Sequence, residues 1–126
     1  MFYQILLIMI TFIILDIVWF SFSTKLIYEP TIFNIQKEPL QIRFIGGLIS
    51  WLLLALGLYL FVLPLSHNLT DVMKYGALYG LIIYGIYNGT NYAILNNYDS
   101  KIFFPDLIWG IIISTLTSAI AYKIFV

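Results

Sequence analysis

Residues 44–65 read FIGGLISWLLLALGLYLFVLPL, with no charged side chain from end to end. An α-helix rises 1.5 Å per residue, so about 20 apolar residues cross a hydrocarbon core about 30 Å thick. This stretch is long enough and apolar enough to be a membrane span. Three others repeat the pattern, at about 2–23, 72–95 and 103–125. The chain of 126 residues is 62% hydrophobic and only 10% charged, with a mean hydropathy of +0.98. Soluble domains carry about 25% charged residues to cover their surface. Lipid is the solvent that tolerates this composition, and the localisation it implies is a multi-pass membrane protein.

The expected fold is all-α: an integral membrane four-helix bundle with antiparallel up-down topology and short loops, one transmembrane domain over 1–126. Period-two alternation of the porin kind is absent, which argues against a β-barrel. The first span lacks a basic n-region and a small-x-small cleavage site, so it reads as a retained span rather than a signal peptide. Residues 24–43, with Pro30 and Pro39, read as an interfacial loop carrying a short surface helix. Residues 66–71 and 96–101 read as tight polar turns, with Thr70 or Asp71 capping the third helix. The first and third loops carry Lys25, Lys37, Arg43 and Lys101 against Lys74 and Lys123 opposite, which by the positive-inside rule puts those loops in the cytoplasm.

Six basic and six acidic residues cancel, leaving no field for nucleic acid. Without cysteine there are no disulfides and no thiolate chemistry. The lone His67 lies between spans, which excludes a histidine-rich centre or a Ser-His-Asp relay within the membrane. No metal motif and no cofactor are expected.

Function is sought where polarity enters the spans. Asp16 and Asp106 each cost roughly 2.5–3.5 kcal/mol at mid-membrane, so each should face protein or water. Counting from Lys25 and Lys101 places them roughly 13 Å and 8 Å below the same interface. Asn88 and Asn91 fall in that half too, with Tyr87 adjacent and Arg43 at the mouth of the second helix. In the fourth span Asp106, Gly110, Ser114 and Ser118 recur every four residues, and in the third Gly76, Gly80, Tyr84 and Asn88 do the same. Small residues of this kind let membrane helices approach closely. Asp16 and Asp106 are each followed three residues on by tryptophan, Trp19 and Trp109, a spacing that sets indole beside carboxylate on one helical face. Trp51 reads as packing.

The segments Leu15-Asp16-Ile17-Val18-Trp19-Phe20, Tyr87-Asn88-Gly89-Thr90-Asn91-Tyr92-Ala93 and Asp106-Leu107-Ile108-Trp109-Gly110 resemble the signatures of small membrane proteins catalogued as domain of unknown function 2177. Thr24-Lys25-Leu26-Ile27-Tyr28 is similar to that family's start of the first loop. The resemblance implies four membrane helices and no assigned activity. Members often carry Asp where this chain has Asn88, and two carboxylates bind cations or protons differently from three.

The residues themselves point first to binding or translocation of a small ion, proton or solute by an oligomer, through Asp16, Trp19, Tyr87, Asn88, Asn91, Asp106 and Trp109. The alternatives are a membrane-embedded lipid-modifying enzyme, and an accessory subunit whose polar cluster only fixes helix packing. The expected partners are the lipid bilayer, further copies of the chain, and a small ion, proton or lipid.

Overall fold

The structure, a computed structural model, describes residues 1–126 and is built of helices without a strand. Four helices follow in order: α1 (Phe2–Gln36), α2 (Phe44–Leu65), α3 (Leu69–Ile94) and α4 (Ser100–Phe125). Three of them, α1, α2 and α4, are long and apolar enough to cross a membrane. The third is long enough but diluted by Gly, Tyr, Asn and charge.

Only 23 of 126 residues are buried, and residues such as Leu6, Ile14, Leu53, Ile82 and Ile124 are exposed. In water such an apolar surface would drive aggregation, whereas in lipid it is the expected outer face. The buried apolar core lies toward one end: Ile5, Ile8 and Phe12 of α1 pack with Leu58 and Val62 of α2, Val72 of α3 and Ala121 of α4.

The first connection departs from expectation. Residues 24–36 continue α1 through a wide turn at Thr24–Tyr28, where the Glu29 N–H donates to the Thr24 carbonyl, a five-residue span. Pro30 sits at the start of the segment beyond that turn, where the usual bonding ladder is already interrupted. The helix ends at Lys37 in the left-handed conformation, φ 62°. A second wide turn, Leu58–Val62, lies within α2 ahead of Pro64. The cap of α3 is Asn68, whose side chain accepts from the Asp71 N–H at 2.8 Å, rather than Thr70 or Asp71. Asp99 caps α4 by accepting from the Lys101 N–H at 3.0 Å.

Helices α3 and α4 form the tightest pair. A Cβ on Gly76 would press on the Ser118 hydroxyl, and one on Gly80 would strike the backbone of Gly110 and Ile111. The Tyr84 ring covers Gly110 so closely that a Cβ there would overlap it. These contacts are the small-residue packing expected when dispersion, rather than hydrophobic expulsion, joins helices in lipid. The Tyr79 hydroxyl ties α3 to α2 by donating to the Leu54 carbonyl at 2.8 Å.

Candidate functional site

Beside the α3–α4 turn the interior becomes polar, and both membrane carboxylates are buried there, Asp16 at 5% exposure and Asp106 at 7%. Asp16 accepts from two indoles: Trp51 Nε1 at 2.7 Å on Oδ2 and Trp109 Nε1 at 2.8 Å on Oδ1. Asp106 accepts from the Tyr28 hydroxyl at 2.5 Å on Oδ1 and from Asn88 Nδ2 at 2.7 Å on Oδ2. All four donors are neutral N–H or O–H groups. Each is the stronger for having a carboxylate as acceptor in a low-dielectric surrounding.

The two halves are linked. Trp19 Nε1 donates to the Tyr28 hydroxyl at 3.1 Å, and the Trp19 ring stacks on Trp109 with centroids 5.0 Å apart and planes 8° from parallel. Each tryptophan therefore serves the other helix's carboxylate: Trp109 binds Asp16 directly, and Trp19 supports Asp106 through Tyr28. This crossed arrangement replaces the same-helix pairing that the i, i+3 spacing suggested.

Tyr28 reaches the site because of the wide turn. In an uninterrupted helix, nine steps of about 100° would put residues 19 and 28 on opposite sides. The extra residue per turn at Thr24–Tyr28 supplies the rotation that brings the phenol round to Trp19. Wide turns of this kind are often found at functional sites.

On the α3 side Asn88 is fully buried and uses both ends of its amide. Its Nδ2 donates to Asp106 and, at 2.9 Å, to the Tyr84 carbonyl. Its Oδ1 accepts from the Tyr98 hydroxyl at 2.5 Å. Tyr98 lies in the α3–α4 turn, where burial pushes its phenol up to about 12. It thus remains a hydrogen-bond donor throughout the physiological range. The same turn is fastened to the end of α1 by Asn97, whose Nδ2 donates to the Asn34 carbonyl at 3.1 Å.

Of the residues singled out from the sequence, Asp16, Trp19, Asn88, Asp106 and Trp109 are brought together. Tyr87 is 58% exposed and makes no hydrogen bond to either carboxylate. Asn91 is half-buried and outside the carboxylate hydrogen bonds, and Arg43 is exposed at the residue before α2. Three participants were missed: Tyr28, Trp51 and Tyr98. Trp51 carried one available signal, since a lone indole N–H inside an otherwise apolar span needs an acceptor. Four buried hydroxyls, Ser23, Ser114, Thr117 and Ser118, have no hydrogen-bond partner.

No cluster of metal-ligating side chains is present. No curated protein and no solved structure matches the chain. A family model described as "Predicted membrane protein (DUF2177)" matches residues 1–123, nearly the whole length, and the chain belongs to that family of multi-pass membrane proteins.

Proposed function

We propose that the protein binds and exchanges a proton or small monovalent cation at Asp16 and Asp106. One observation carries this reading: two buried carboxylates in a membrane bundle are held only by neutral donors. Two negative charges in lipid without a compensating positive charge are costly, and a proton or cation supplies the compensation. Each carboxylate oxygen offers about two lone-pair positions and uses one here, so capacity remains at both groups.

Transfer across the membrane would run between copies rather than through one bundle. Phe12 and Ile113 are fully buried and fill the interior beyond the carboxylates. Gly46 and Gly89 have no neighbour within 4 Å of an added Cβ, which supports close approach by a second chain. Helix α3 completes a four-span domain over 1–126. Its contacts pair Gly76 with Ser118, Gly80 with Gly110 and Asn88 with Asp106, an opposed order that supports antiparallel, up-down topology.

The test is proton and alkali-cation flux in proteoliposomes containing the full chain. Flux is expected for the natural protein and its loss for Asp16→Asn with Asp106→Asn. Absence of flux, or equal flux in both, sinks the proposal. A framework role has one observation in its favour, that each of the four carboxylate oxygens already has a donor. It predicts that the same substitutions weaken assembly and that no flux exists to be lost.

A further inference from the structure

Outside the polar network, the end of α1 builds a cleft of about 480 Å³ lined by Lys25, Glu29, Pro30, Phe33, Asn34, Pro39 and Leu40. Its depth relative to the bilayer follows from counting. About 20 residues of α1 from Phe2 cross the hydrocarbon core, so the helix from Thr24 onward stands in the head-group layer. That layer is about 5–7 Å thick on each side, and the helical rise from Lys25 to Glu29, about 6 Å, fits within it.

The lining combines charge with apolar surface. It carries one cation and one anion four residues apart, Lys25 and Glu29, with the Asn34 amide beside them and Phe33 and Leu40 as apolar walls. Phe33 is 49% exposed, and both charged side chains are exposed. A pair of opposite charges on an apolar seat matches a ligand that is itself zwitterionic, with a phosphate and an ammonium one ethylene unit apart and an acyl stem below. A net anionic head group would meet Glu29 without a positive group to offset it. A choline head group has no N–H to give to the Glu29 carboxylate.

We propose that this cleft seats the head group of a zwitterionic aminophospholipid, phosphate on Lys25 and ammonium on Glu29 one helical turn further from the hydrocarbon core. The inference is independent of the cation reading, because neither charged residue belongs to the carboxylate network.

The test is native mass spectrometry of the full chain in detergent. The protein is titrated with phosphatidylethanolamine, phosphatidylglycerol and phosphatidylcholine of matched acyl chains. The ethanolamine lipid is expected to bind about fivefold more tightly than the glycerol lipid, the scale of one exposed ion pair. Glu29→Gln should bring it down to the level of the choline lipid, and Lys25→Gln should weaken all three lipids together. Equal binding of all three, preference for another class, a preference that survives Glu29→Gln, or binding unchanged by Lys25→Gln would overturn the proposal. Both side chains are exposed, so neither change threatens folding.

Discussion

Replacing Tyr28 by Phe removes a single oxygen and tests whether the network holds the bundle together. That oxygen donates to Asp106 Oδ1 at 2.5 Å and accepts from Trp19 Nε1 at 3.1 Å. Hydrogen bonds to charged groups contribute about 1.5–3 kcal/mol and neutral ones about 0.5–1.5 kcal/mol. Polar contacts between membrane helices average only about 0.6 kcal/mol with a maximum near 1.7, because the separated helices also find partners. The expected loss is therefore about 1–3 kcal/mol, most of it from leaving a buried carboxylate oxygen without its donor. Equilibrium unfolding in mixed detergent micelles, followed by tryptophan fluorescence, measures it. A double-mutant cycle with Asp106→Asn isolates the pair and should give a coupling of about 1–2 kcal/mol. A loss below about 0.5 kcal/mol with no coupling would refute the reasoning, since a satisfied buried carboxylate cannot lose its hydroxyl partner without cost.

Other substitutions follow from the same geometry. Gly80→Ala forces a methyl into the Gly110 backbone and Gly110→Ala forces one into the Tyr84 ring. Each should destabilise by about 1–3 kcal/mol or more in the same unfolding assay. Gly46→Ala and Gly89→Ala meet nothing within 4 Å, and in a monomeric preparation they should be neutral or stabilising by up to about 1 kcal/mol through helix propensity. Trp51→Phe removes one of the two indole donors to Asp16 and should cost about 1–2 kcal/mol; no change would mean that the bond is not formed in lipid. Tyr98 is raised from the ordinary 10 to about 12 by burial. A raised phenol stabilises the fold below pH 10, and that contribution is lost as pH climbs through 12. Subtracting the tyrosinate absorbance titration of Tyr98→Phe from that of the natural protein should leave one group with a midpoint near 12; a midpoint near 10 would place Tyr98 in solvent.

The legible parts of this molecule are those where lipid imposes a cost. Asp16, Asp106 and Asn88 stand out in apolar runs, and counting along helices places them in one half of the bundle. The Gly76, Gly80 and Gly110 spacing likewise marks the close α3–α4 contact. What spacing cannot supply is the partner across helices. An i, i+3 rule sees only neighbours on one helix, so it paired Trp19 with Asp16 and missed the exchange through which Trp109 serves Asp16. Tyr28 was hidden for another reason. Its position depends on a wide turn that leaves no residue signature, and Pro30 two residues later reads as a loop marker. Tyr87 and Asn91 illustrate the converse: Tyr87, adjacent to Asn88 in sequence, is exposed, and Asn91, one turn on, makes no hydrogen bond to either carboxylate.

Asp16 is clasped by indoles from two other helices. The chain has three tryptophans, so its indole 15N spectrum is simple enough for solid-state NMR in bilayers. With 15N at indole nitrogens and 13C at aspartate Cγ, dipolar dephasing should identify Trp51 and Trp109 as lying roughly 3.5 Å from a carboxylate carbon. Trp19, bonded to the Tyr28 hydroxyl, should dephase weakly. Asp16→Asn, with the amide carbon unlabelled, should abolish the effect for both. Dephasing absent from Trp51 and Trp109, or unchanged by that substitution, would contradict the account.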